Sequence, residues 1–158
     1  MKLKTIFLTL AALCAAACSD DDKTVTPAES VSGTYEGALT LSVMGNSQGD
    51  VAMNVVVEPE TASTVSVTLS GDPEATGGMT IKTIRLTGVS VSAEEGTTHT
   101  LSKSIGGEGY VAQDSGTSVN WKFSEITGTV TDNAATLHLV GQPGAMPMAI
   151  TMDFTGTK

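Results

Sequence analysis

Beyond residue 18 the chain has no cysteine. Both cysteines of its 158 residues, Cys14 and Cys18, sit near the start, so the rest can form no disulfide and carries no thiol nucleophile or thiolate metal site. Basic residues are few. Lysine and arginine together number 8 against 17 acids, for a formal charge of −9, and no basic cluster interrupts that balance. A surface of this sign repels phosphate backbones, which excludes nucleic acid as a partner. Aromatic residues make up 4% of the chain, with one tryptophan, Trp121. No apolar run approaches the roughly 20 residues a helix needs to cross a bilayer. Nor does any useful length of sequence show the 3.6-residue period of an amphipathic helix, so helix bundles and sheets built with crossover helices are excluded.

What is present begins with an address. Met1-Lys2-Leu3-Lys4 is a basic start, Thr5 to Leu13 is apolar, and Ala15-Ala16-Ala17 places small residues directly before Cys18. That order predicts a signal peptide over 1–17. A cysteine at the first mature position offers a thiol for lipid attachment, and the stretch resembles the lipobox of bacterial lipoproteins, with Ala15 where that motif most often has leucine. Loss of Lys2 and Lys4 takes the charge from −9 to −11. Ser19-Asp20-Asp21-Asp22 follows at once. This run resembles the surface-export signal of lipoproteins from Bacteroides and its relatives; the plain reading is a solvated acidic linker. The resemblance implies a lipid anchor at Cys18 in the outer membrane and a domain held at the cell surface. Lys23 to Ser32 is polar, contains Pro27 and shows no apolar periodicity, so residues 18–32 read as anchor, export signal and flexible tether.

Composition changes at Gly33. From there to Lys158, segments rich in Val, Thr, Ser and Leu alternate with clusters of Gly, Asn, Asp and Pro. Tyr35, Gly37, Leu39, Leu41 and Val43 share one face of a first strand, and Val51, Met53, Val55 and Val57 share one face of a second. Val65, Val67 and Leu69 repeat the pattern with hydroxyls outward. The phase then slips, which predicts β-bulges near Lys82-Thr83 and near Gly88. Val119, Trp121 and Phe123 alternate strongly, Ile126 and Val130 follow in shifted phase, Asp132-Asn133 suits a tight turn, and a last strand puts Met148, Ile150, Met152 and Phe154 on one face. Hairpin-length connections make the sheet antiparallel. The first and last strands are both long and without charged edge protection, and pairing them removes two exposed edges. The expectation is an all-β fold: a single antiparallel up-and-down β-barrel of about eight strands over 33–158, with a β-sandwich as runner-up.

Chemistry is sparse. His99 and His138 have no cysteine partner and read as surface or structural residues, with His138 pointing away from the core. No Gly-x-Ser-x-Gly elbow is present, Glu94-Glu95 lacks calcium-loop spacing, and Gly106-Gly107-Glu108-Gly109 lacks the lysine and helix of a phosphate cradle. No catalytic residue, metal site or cofactor is expected. Met44, Met53, Met79, Met146, Met148 and Met152 are read as core filling, although Met146-Pro147-Met148 has the spacing of extracytoplasmic copper sites.

Gly33-Thr34-Tyr35-Glu36-Gly37, running into Leu39-Thr40-Leu41-Ser42-Val43-Met44-Gly45, resembles the start of the calycin-like β-barrel lipoproteins of the Bacteroides group. The likeness extends through 81–104 and the closing strand at 148–155. It implies a lipocalin-like barrel in a family of unassigned function. Lipocalins proper carry Gly-x-Trp on the first strand with a basic residue packed over the indole; Tyr35 stands at that aromatic position, and Arg85 is the only arginine. An eight-stranded barrel is about wide enough for one small ligand. The expectation is therefore a binding module with an apolar cavity lined by Leu39, Leu41, Val55, Val67, Trp121, Phe123 and Met152. The alternative is an accessory protein with a filled barrel whose loops, chiefly 71–78 and 106–116, meet a protein or glycan partner.

Overall fold

Strands form wherever the alternation persists, and each ends where a turn residue interrupts it. The structure, a computed structural model, describes residues 24–71, 83–93, 98–102, 108–114 and 117–158. Expectations for 1–23, for the loops beyond Gly71 and around 103–107, for Met79 and for a bulge at Lys82 lie outside the described residues. The elements are α1 (Pro27–Val31), β1 (Gly33–Val43), β2 (Asn46–Pro59), β3 (Thr64–Gly71), β4 (Thr83–Ala93), β5 (His99–Ser102), β6 (Glu108–Asp114), β7 (Thr117–Val130), β8 (Ala134–Pro143) and β9 (Ile150–Thr157).

Every strand pairs antiparallel with its sequence neighbour or closes the ring. β1 pairs with β9 from Glu36 opposite Thr157 to Val43 opposite Ile150, and β3 pairs with β4, so the sheet has no free edge among the described residues. Both β5 and β6 lie between β4 and β7: His99–Ser102 faces Thr127–Val130, while Glu108–Asp114 faces Thr117–Lys122. Two short strands thus share one stave, and nine strands build a closed barrel of eight staves. A sandwich would have left β1 and β9 in separate layers.

The phase slips are absorbed as bulges. On β4, Val89 pairs with Val65 and Leu86 with Val67, so Thr87 and Gly88 together face one residue of β3. Gly88 has φ +62°, a conformation that glycine adopts without steric penalty. A second slip between Phe123 and Glu125 on β7 lets Phe123 and Ile126 both turn inward. Each restores the apolar face to the interior after one extra residue, and each bends its strand, which closure of a barrel requires.

Inside lie Tyr35, Leu39, Leu41, Val55, Val67, Leu69, Ile84, Leu86, Leu101, Leu139, Met152 and Phe154 among others, nearly all under 3% exposed. The Thr and Ser partners of this alternation face outward, as Thr129 and Thr136 do, bonded hydroxyl to hydroxyl at 2.8 Å across β7 and β8.

One expectation is overturned at the N-terminal boundary. Pro27–Val31, read as flexible tether, is a helix folded onto the barrel end, with Ala28 and Val31 fully buried. Its start is a capping box. The Thr26 hydroxyl accepts from Glu29 N at 3.3 Å, the Glu29 carboxylate accepts from Thr26 N at 2.9 Å, and Pro27 occupies the first helical position, where its missing N–H is no loss. The ordered domain therefore begins before Gly33.

Candidate functional site

The two ends of the barrel differ. At the end where β1 begins and β9 finishes, α1 lies across the opening. Ala28 N donates to Ala62 O in the β2–β3 turn at 3.2 Å, Ser30 Oγ sits 3.0 Å from His99 Nε2 on β5, and Tyr35 Oη donates to Val31 O at 2.8 Å. Lys158 Nζ stands 5.1 Å from the centroid of the Tyr35 ring, a cation–π distance. The lysine stem crosses the place a side chain at Gly33 would occupy, since a Cβ there would fall 2.6 Å from Lys158 Cε. The basic residue over the first-strand aromatic is thus Lys158. Arg85 is exposed on the outer wall.

The other end carries the β1–β2 and β8–β9 turns. Met44 (φ +51°) and Gly45 (φ +78°) form the two-residue hairpin connection after β1, with both central residues at positive φ as a type I′ turn requires. In the β8–β9 connection Met146 N donates to Pro143 O at 3.1 Å. Core filling is wrong for this group: Met44 is 77% exposed, Met146 49% and Met148 41%, whereas Met53 and Met152 are buried. Met148 lies before β9 begins at Ile150, so its parity with Ile150 and Met152 does not carry it inward.

All seven residues proposed to line a cavity are buried and belong to the inner wall: Leu39, Leu41, Val55, Val67, Trp121, Phe123 and Met152. Several meet across the ladders. Leu41 pairs with Met152, and Val55 opposes Tyr35 on one side and Leu69 on the other. Trp121 and Phe123 stack, ring centroids 5.7 Å apart and planes within 11°. They lie against β8 at Gly141, where a Cβ would fall 2.8 Å from Phe123 Cδ1 and 3.2 Å from Trp121 Cε3. Glycine here is a seat for the aromatic pair.

The seat leaves one polar group unserved. Trp121 is 2% exposed, yet among the described residues its Nε1 has no hydrogen-bond acceptor. An indole N–H buried without a partner forfeits a full hydrogen bond to water. Alternation with Val119 and Phe123 put Trp121 on the inner wall, and no residue pattern could have shown that its N–H is left over. His99 Nδ1 is the other orphan among the described residues, at the plugged end.

A shallow groove of about 380 Å³ lies on the outer wall along Thr100, Thr127, Thr129, Thr136, His138, Asp153 and Thr155. There His138 Nδ1 stands 2.6 Å from Asp153 Oδ1 and Nε2 is 3.9 Å from Glu125 Oε2. The imidazole is oriented by an acid, but among the described residues no nucleophile is bonded to it. Among the described residues no group of three His, Cys, Asp or Glu is placed to hold a metal ion, and no helix is long and apolar enough to cross a membrane.

A closed antiparallel barrel of eight staves with an apolar interior is a calycin-like fold. The family model of the calycin-like β-barrel domain matches residues 31–157, and the chain belongs to that family. The match begins at Val31, inside α1. Among solved structures, a crystal structure of a candidate outer membrane protein from Bacteroides fragilis is similar, with TM-score 0.70 and 24% identity. The likeness covers 85% of this chain and 53% of that one, so the chain spans about half the length of that protein. No curated protein matches.

Proposed function

We propose that this protein is a lipid-anchored outer-membrane barrel, exposed at the cell surface, that holds a small apolar ligand inside its inner wall. The observation that carries the reading is the asymmetry of the barrel: an apolar interior covered at one end by α1, with Trp121 stacked on Phe123 at the opposite end and one donor unspent. Trp121 pairs with Pro143, the last residue of β8, which sets it beside the rim.

The anchor reading fits this polarity. Seven residues, Ser19 to Val25, separate Cys18 from the N-cap Thr26, a reach of at most about 29 Å. A lipid on Cys18 would tether the plugged end and turn the rim away from the bilayer. The outer-membrane description of the similar Bacteroides fragilis protein supports the outer-membrane part of this reading.

An environment-sensitive apolar dye tests the reading. Saturable binding that perturbs the fluorescence of the single tryptophan supports it, and absence of both removes it. The exposed Met44, Met146 and Met148 favour a second reading, a filled barrel whose rim meets a protein or glycan partner, and the same titration separates the two.

A further inference from the structure

Resting on the binding reading above, we infer that the ligand is electrically neutral and carries a hydrogen-bond acceptor, such as a ketone, ester or amide oxygen, which meets Trp121 Nε1 near the rim while its apolar part runs toward the plugged end.

Position comes first. The benzo edge of the indole, through Cε3, lies against the Gly141 site on β8. Nε1 is on the other side of the ring fusion from that edge. Strand carbonyls nearby are engaged in the β7–β8 ladder that runs from Trp121–Pro143 to Val130–Ala135. A water could serve the donor only with two or more further polar partners, and what the described residues offer nearby is apolar: Phe123 stacked on the indole, and buried Leu139, Ile150 and Met152 on the next two strands, β8 and β9. A ligand oxygen meets the need with one contact and brings its own apolar remainder.

Charge comes second. A buried anion requires a counter-charge or several donors. Among the described residues the basic side chains, Arg85, Lys122 and Lys158, are all exposed, and the one buried polar residue, Ser66, lies on β3 beyond the staves that flank Trp121. One neutral donor does not hold a carboxylate in an interior of this kind, within a chain of formal charge −9. Free fatty acids are therefore disfavoured against neutral lipids or ketones of equal length.

The test uses three probes of one chain length, decyl methyl ketone, dodecane and laurate, competing with the apolar dye at neutral pH. The expected order is ketone first, about tenfold tighter than dodecane, since one buried hydrogen bond is worth about that factor, with laurate weakest. Trp121→Phe, which keeps an aromatic ring and removes the N–H, should erase the ketone's advantage over dodecane. The single indole N–H resonance of the unaltered protein gives a second readout that needs no variant: it should move downfield with ketone and much less with dodecane. Ketone and dodecane binding equally, laurate binding tightest, or a bound dye that none of the three displaces would each overturn the inference and leave the binding reading standing. Failure of the dye itself to bind would remove both.

Discussion

The hydroxyl of Tyr35, buried at the foot of β1, donates to the carbonyl of Val31 at the end of α1 across 2.8 Å. That bond fastens the helix to the barrel it covers, because Val31 is one of the last carbonyls of a helix and has no intrahelical partner of its own. Tyr35→Phe should destabilise the protein by about 1–3 kcal/mol, the range for leaving a buried acceptor unpaired. Urea denaturation reads the loss, and amide exchange at Ala28 and Val31 should quicken more than exchange in β8.

Met44 adopts φ +51°, a conformation that costs a residue with a Cβ about 1 kcal/mol and that asparagine and glycine tolerate better. Met44→Asn should therefore raise stability by up to about 1 kcal/mol. A melting temperature that falls would show that the methionine side chain is held by contacts its 77% exposure does not suggest.

Gly141 lies under the Trp121–Phe123 stack. Gly141→Val places two methyl groups where a Cβ alone would already meet Phe123 at 2.8 Å, and overpacking of this kind costs about 1–3 kcal/mol. The tryptophan emission should shift red as the ring is lifted, and chemical denaturation should show the loss.

Methionine oxidation should divide by position. Brief peroxide treatment followed by peptide mass spectrometry should find sulfoxide at Met44, Met146 and Met148 well before Met53 and Met152, because thioether oxidation follows exposure and only the first three are at the surface.

Much of this architecture is legible in the residues. Period-two alternation places Leu39, Leu41, Val55 and Val67 on the inner wall because every second side chain of a strand shares a face, and slips in that period locate the bulge at Gly88. Closure between β1 and β9 follows from two long unprotected strands that would otherwise be exposed edges. The helix was missed because five residues are too few to show periodicity; its signal was Thr26-Pro27-Ala28-Glu29, a capping box with proline at the first position. Lys158 is not apparent from the sequence because it lies 123 residues from Tyr35, and a cation–π contact needs only a positive charge brought within reach by the fold. Met148 misled because parity holds only inside a strand, and β9 starts two residues later. The unpaired indole N–H depends on which acceptors surround Trp121 in space, and no linear pattern encodes that.

Native mass spectrometry of the protein extracted from its own cells measures the central claim directly. The account predicts a non-covalent adduct of a few hundred daltons, neutral in charge, that leaves when the barrel is denatured and is diminished in Trp121→Phe. Protein carrying only its covalent lipid, with no releasable small molecule and no change in indole emission on adding the apolar dye, would contradict it.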